Sequence, residues 1–230
     1  MFIYAGRHLG HVGRSPASLL DRIEKPDTSD ERDHRILTDD ETAALVACAD
    51  DESRLMLALA IQTGARKGDV LGLTWQDVDT QTRTIRIEMQ LDRAGHRVDL
   101  KTPTSRRTVA ISSALAAELA KHRLAHGRPD GAALVFTRPD GRHWRHQSAD
   151  RALERALKDA GVDHASFHDL RHTHVSRLFA AGLDAAAIAA RVGDTIDTVL
   201  RTYAHEYDAT RRRQDESDAL SAMYAPAMEA

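Results

Sequence analysis

From residue 113 to residue 205 the chain is a train of helical segments cut at glycines, and this pattern constrains the fold more than any other feature. Stretches 113–126, 148–160, 168–181, 184–192 and 195–205 read as helices, with Gly161, Gly182 and Gly193 where C-caps fall. A residue just past a last helical turn takes positive φ, which glycine adopts without a Cβ clash. Upstream, Thr38-Asp39-Asp40-Glu41 has the form of a capping box before Ala43, Leu45, Val46 and Ala49, which predicts a helix start. A second helix runs through Leu55, Leu57, Leu59 and Ile61, and Gly64 is placed to end it. Residues 82–90 alternate instead, with Ile85, Ile87 and Met89 on one side, and a period of two is that of a strand. Ala94-Gly95 supplies a turn, and 97–100 and 108–111 read as further strands. The chain is therefore mostly helical, with a few strands gathered before residue 113.

Residues 1–33 read as a leader and linker. Ser15-Pro16 breaks structure, and 24–33 is charged, holds Pro26 and lacks apolar periodicity. With 230 residues, 42% of them hydrophobic, the chain can hold one large domain plus an appendage. Only 4% are aromatic, so base stacking on exposed rings is not its main way of holding nucleic acid. The formal charge of −3 runs against the basic balance usual for a DNA-binding domain. The acids cluster near the two ends, however, in 27–40 and 215–218, which leaves the middle richer in arginine and lysine. The lone Cys48 permits no disulfide within the chain, fits a reducing cytoplasmic setting, and is expected to be a small buried apolar residue. No apolar run approaches the ~20 residues that span a bilayer. The first residues are too short for a secretory signal.

Four segments carry the chemistry: Thr63-Gly64-Ala65-Arg66, Leu100-Lys101-Thr102, His168-Asp169-Leu170-Arg171 and Arg201-Thr202-Tyr203-Ala204-His205. They offer two guanidiniums, an ammonium, an imidazole and a phenol, a set able to attack a phosphodiester through a tyrosine oxygen. A free phenol has a pKa of about 10, so reaching phenolate at pH 7 costs about 4 kcal/mol, and a tyrosine nucleophile needs a proton acceptor or strongly cationic surroundings. Attack adds negative charge to the non-bridging phosphate oxygens, which two arginine forks suit. A lysine can protonate the leaving sugar oxygen. His168 and Arg171, three apart, would share one face of a helix.

These segments, in this order, resemble the tyrosine recombinases, the phage-integrase family. Residues 63–78 look like its first arginine segment nearly throughout, with Arg66 in the first arginine position and Asp69 matching the acidic residue that supports the site. Leu100-Lys101-Thr102 followed by Arg106-Arg107-Thr108 resembles the hairpin with the catalytic lysine. Phe167 to Thr173 matches the His-x-x-Arg segment, and 193–205 resembles the stretch that leads to the nucleophile, here Tyr203. The resemblance implies a mainly α fold with a small antiparallel β-sheet, an α+β arrangement, over residues 34–208. It implies strand cleavage through a 3′-phosphotyrosine, with no cofactor and no metal. The partner implied is double-stranded DNA, bound by a tetramer joined through a C-terminal tail helix in 209–230. Arg66 and Arg171 would clamp the phosphate, Lys101 would act as general acid, and His168 as proton acceptor or second donor.

Asp194 departs from the family, where this position after glycine is usually a histidine that donates toward the phosphate. An ionised aspartate cannot donate; it would cap the helix starting near Thr195, repel the phosphate, or pair with an arginine. Residues 1–25 resemble only the end of the core-binding domain that integrases carry, so weak DNA affinity is expected. Both departures keep a second reading open, a decayed or truncated integrase that binds DNA without cleaving it. A type IB topoisomerase uses similar chemistry, but the segments are closer to integrases. His172 and His174 are expected to be structural, and the histidine cluster at 164, 168, 172 and 174 lacks the cysteines or carboxylates of a zinc site. Trp144 would touch DNA or anchor a loop.

Overall fold

The computed structural model describes residues 34–51, 53–100, 102–138 and 140–204, together with Asp208, Glu216, Ser217 and Leu220. The expectations for 1–33, Lys101, His205 and nearly all of the tail lie outside the described residues.

The first helix, α1 (Asp39–Cys48), begins where its capping box predicts: Thr38 Oγ1 accepts from the Glu41 amide at 3.2 Å, and the Glu41 carboxylate accepts from the Thr38 amide at 2.9 Å. Helix α2 (Arg54–Thr63) ends at Gly64, whose φ is 62°. A one-turn helix, α3 (Lys67–Leu71), and a 3₁₀ turn at Trp75–Asp77 follow. Neither was expected, because single turns are too short to show a 3.6-residue period.

Strands β1 (Val78–Asp79), β2 (Thr84–Ile87) and β5 (Arg107–Ala110) form an antiparallel sheet in the order β1-β2-β5, with Ile85 opposite Val109. Strands β3 (Met89–Leu91) and β4 (Arg97–Asp99) form a separate hairpin. The stretch 82–90 is thus two strands broken at Glu88, not one. The cause is α3: β3 lies so close to it that a Cβ on Gly72 would come within 2.7 Å of the Gln90 carbonyl carbon, and one on Gly68 within 3.0 Å of the Leu91 oxygen. Docking there takes β3 out of the ladder that β2 makes with β5.

Among the described residues five further helices follow: α4 (Ser113–Ala125), α5 (His146–Asp159), α6 (Phe167–Ala180), α7 (Ala185–Val192) and α8 (Ile196–Thr202). Each lies within a few residues of its expected place. Among the described residues the apolar interior is in two parts. The larger takes in Leu45, Leu57, Leu59, Ile85, Val109, Leu119, Phe136, Leu153 and Leu170. The smaller holds Val175, Phe179, Ala185, Ile188, Ala189, Val192, Val199 and Tyr203. Helix α6 belongs to both, with Leu170 in the first and Val175 and Phe179 in the second.

Two expectations resolve here. Trp144 is buried in the larger core and anchors its loop. Cys48, expected inside, is exposed: it is the last residue of α1, and the buried positions there are Thr42, Leu45 and the following Ala49. No described helix is long and apolar enough to cross a membrane.

Candidate active site

Helices α2 and α7 both end at glycines in the left-handed region, Gly64 at φ 62° and Gly193 at φ 67°. Carbonyls at a helix C-terminus lack intrahelical donors and carry partial negative charge. Arg171, from α6, fills the space between the two ends. Its Nη1 donates to Gly64 O at 2.8 Å and Val192 O at 2.7 Å, and its Nη2 donates to Asp194 Oδ2 at 2.9 Å. The side chain is 4% exposed. Burial lowers its pKa, the nearby Arg66 and Arg107 lower it further, and Asp194 opposes them, leaving a value of about 10. The guanidinium is still charged at neutral pH.

Arg66 stands at the start of α3 and is more open, at 38% exposure. Its Nη2 donates to Asp194 Oδ2 at 3.2 Å and faces Gly193 O at 3.5 Å. Asp194 Oδ2 therefore accepts from both arginines. It is not the cap of α8; Thr195 is, with its Oγ1 accepting from the Thr198 amide at 3.1 Å. Of the roles open to Asp194 from sequence, pairing with arginine is the one its contacts show.

Beneath this layer lies a buried pair that sequence reading only half found. Asp69 supports Arg66 as expected, since its Oδ2 accepts from the Arg66 amide at 3.3 Å. Its charged partner is Arg107, at 3.1 Å, with side-chain exposures of 3% and 1%. Arg107 also donates to Ser105 O at 2.8 Å, and burial lowers its pKa. A Cβ on Gly193 would come within 2.7 Å of Arg107 Nη1 and 2.9 Å of Ser105 O, so the seat admits only glycine there. The signal for Arg107 was available: it shares a strand face with buried Val109, where a charge needs a partner. Lys101 lies outside the described residues. Its neighbour Thr102 bonds Ser105, 2.8 Å between hydroxyls, and Ser105 Oγ stands 3.5 Å from Arg66 Nη1.

Tyr203 is 6% exposed, packed with Phe179 and Val199 in the smaller core. Its Oη lies 2.5 Å from His172 Nδ1. His172 directly follows Arg171, and its ring meets His168 edge-on at 4.5 Å. His172, expected to be structural and set against the core, is buried and in direct contact with the phenol, while His168 is exposed. The sequence singled out His172 only as one of the histidine cluster; its contact with Tyr203 joins residues 31 apart and leaves no local signal.

The start of α6 is held firmly. Ser166 Oγ accepts from the His168 and Asp169 amides at 3.2 Å each, and Asp169 Oδ2 accepts from the Ser166 amide and hydroxyl at 2.7 Å each. Burial pushes the Asp169 carboxyl up, but the Ser166 hydrogen bonds outweigh it and the net shift is downward. His174, further along α6, is structural as expected. Burial, then Arg191 and Arg171, depress its pKa to about 3. The neutral ring accepts from Arg191 Nε at 3.0 Å, and Arg191 also donates to Gln62 O at 3.1 Å and Ala110 O at 3.0 Å.

Two guanidiniums thus meet on one carboxylate oxygen, and the phenol of Tyr203 contacts the residue that follows the second arginine. The sequence pattern of the phage integrase family matches residues 35–210, and the chain belongs to that family. It is 28% identical over 176 residues to a tyrosine recombinase XerC-like protein of Caldanaerobacter subterraneus, covering 66% of this chain and 45% of that protein. It is 31% identical to the tyrosine recombinase XerD of Mycobacterium leprae, covering 79% of this chain and 60% of that one. The chain spans about half the length of the curated relatives it matches. Among solved structures, the Tn1549 transposon integrase in complex with transposon right end DNA superposes with a TM-score of 0.71 at 20% identity, over 92% of this chain and 74% of that one. The catalytic domain of bacteriophage HP1 integrase gives 0.53 at 22% identity, over 74% of this chain and 87% of that one. These likenesses establish the fold as that of the family's catalytic domain.

Proposed function

We propose that this chain is the catalytic unit of a site-specific tyrosine recombinase. The observation that carries the proposal is that Arg66 and Arg171, 105 positions apart, meet on one acceptor oxygen while Tyr203 touches the residue next to Arg171. In this reading Tyr203 Oη attacks the phosphorus of a DNA strand. The bond from phosphorus to the 5′ sugar oxygen breaks, a 3′-phosphotyrosine forms, and Lys101 protonates the leaving oxygen. The tyrosine proton passes to a histidine, His168 in the family pattern. Arg66 and Arg171 bear the charge that builds on the non-bridging oxygens. One phosphoester replaces another, so the reverse reaction reseals the strand without nucleotide hydrolysis.

Double-stranded DNA is the substrate that this chemistry and the family suggest; the Tn1549 integrase, a structural relative, was solved on transposon DNA. The division into a core-binding remnant and linker at 1–33, a catalytic domain at 34–208 and a tail at 209–230 belongs to the same reading, as do a tetramer joined through that tail, recombination for a mobile element and a cytoplasmic location. The second reading, a decayed enzyme, is favoured by one observation: a carboxylate rests on both phosphate-binding arginines.

Covalent trapping decides between them. Wild type and Tyr203→Phe would be incubated with nicked duplexes drawn from the DNA flanking the gene, then run on a denaturing gel. A protein–DNA adduct is expected from wild type alone, with equal DNA binding by the two. Equal adduct from the Tyr203→Phe protein would overturn the assignment of the nucleophile, and binding without any adduct would favour the decayed enzyme.

A further inference from the structure

Asp194 has a carboxylate for which the local backbone has no use. Helix α8 is capped by Thr195, and the turn before it is fixed by Gly193, whose amide, with that of Asp194, donates to Ala189 O at 2.9 and 3.0 Å. The carboxylate instead turns back onto Arg171 at 2.9 Å and Arg66 at 3.2 Å, both through the same oxygen, Oδ2.

Charge explains why it goes there. Arg66, Arg107 and Arg171 stand close enough for the first two to disfavour protonation of the third. Asp69 is committed to Arg107 in the layer below. Without a second anion the upper pair of guanidiniums would face each other uncompensated, one of them buried. Asp194 supplies that anion. A non-bridging phosphate oxygen carries like charge and accepts the same hydrogen bonds, so the two cannot share the seat. Asp194 is 27% exposed, which leaves it a way out toward solvent.

We propose that Asp194 is a built-in occupant of the phosphate seat, which the scissile phosphate must displace before cleavage. This rests on the recombinase reading and adds a threshold to it. A lone phosphate, or a duplex held by few other contacts, does not dislodge the carboxylate; a duplex held firmly elsewhere does. The site thereby discriminates between well-engaged and poorly engaged DNA.

The test separates anion binding from cleavage by working in the full chain with a Tyr203→Phe background. Asp194→Asn keeps the shape and removes the charge. Duplex affinity, read by fluorescence anisotropy at several salt concentrations, is expected to rise about tenfold or more, and inorganic phosphate is expected to raise the thermal midpoint of the variant more than that of its parent. Affinity and phosphate response both unchanged in a folded Asp194→Asn protein would overturn the proposal. Should that protein not fold, Asp194→His, which restores the donor usual in the family, carries the same two expectations. With Tyr203 intact, Asp194→Asn is expected to give more adduct than wild type; tighter binding with less adduct would make Asp194 a participant in the reaction and overturn its role as a blocker. Gained phosphate binding without adduct from any protein would leave the occupant role standing while the recombinase reading fell.

Discussion

The two apolar cores are unlike in size and in what they carry. The larger surrounds the sheet and α1 to α5 and sets the position of Arg66 through α3. The smaller, built from the end of α6 with α7 and α8, carries Tyr203. The two share helix α6, and polar contacts also cross between them: Arg171 bonds carbonyls on both sides, Gly64 O and Val192 O, and Arg191 reaches from α7 to Gln62 O and Ala110 O. Apolar contact fills each half, while the shared helix and a set of charged hydrogen bonds link the halves to one another. Arg171 and Tyr203, the proposed phosphate-binding group and nucleophile, thus lie at and beyond a junction crossed by charged side chains.

That contrast can be broken at its strongest point by Arg171→Ala. Removing one partner from a buried ionic network costs about 3–5 kcal/mol, and Gly64 O and Val192 O would lose their shared donor. The urea midpoint is expected to drop accordingly and DNA binding to be lost. A midpoint within error of wild type would mean that apolar packing alone holds the halves together.

Acid acts on the other arm of the junction through His174. Folded, the ring stays neutral to about pH 3; unfolded, it takes up a proton below about 6.5. Between these values the unfolded chain binds the extra proton, so stability falls as pH falls, by up to about 1.4 kcal/mol per pH unit. Above 6.5 the term is flat. Urea midpoints at pH 7, 6, 5 and 4 should therefore fall more steeply for wild type than for His174→Leu, although the variant starts lower for want of the bond to Arg191. Parallel curves would remove His174 from the junction.

The smallest effect sharpens the comparison without a mutation. Fewer buried apolar side chains lower the cost of local opening. Amides of α7 and α8 are thus expected to exchange with solvent at a lower free energy than those of α2, measured under native conditions. Equal protection would merge the two cores into one cooperative unit.

Much of this was legible in the sequence wherever the physics is local. Thr38 and Glu41 cap α1, Gly64 and Gly193 end helices, and the alternation around Ile85 is a strand, because caps, positive φ and periodicity depend on near neighbours. Arg66, Arg171, Asp69 and Tyr203 stood out by their segments. The break at Glu88 did not, since it depends on how closely β3 approaches α3. Nor did exposed Cys48, whose apolar neighbours suggested burial; it is the last residue of α1, where the helix ends at the surface.

By itself the sequence determined the helices and their ends, the strand alternation and the residue types able to handle a phosphodiester, all set by spacing along the chain. Tertiary structure alone decided that Asp194 turns from the helix it precedes to two arginines, that Arg107 is the buried partner of Asp69, and that His172 meets Tyr203. Those pairings join residues distant in the chain. A buried charge or a phenol takes whichever partner the fold brings within about 3 Å, a choice that spacing along the chain does not encode.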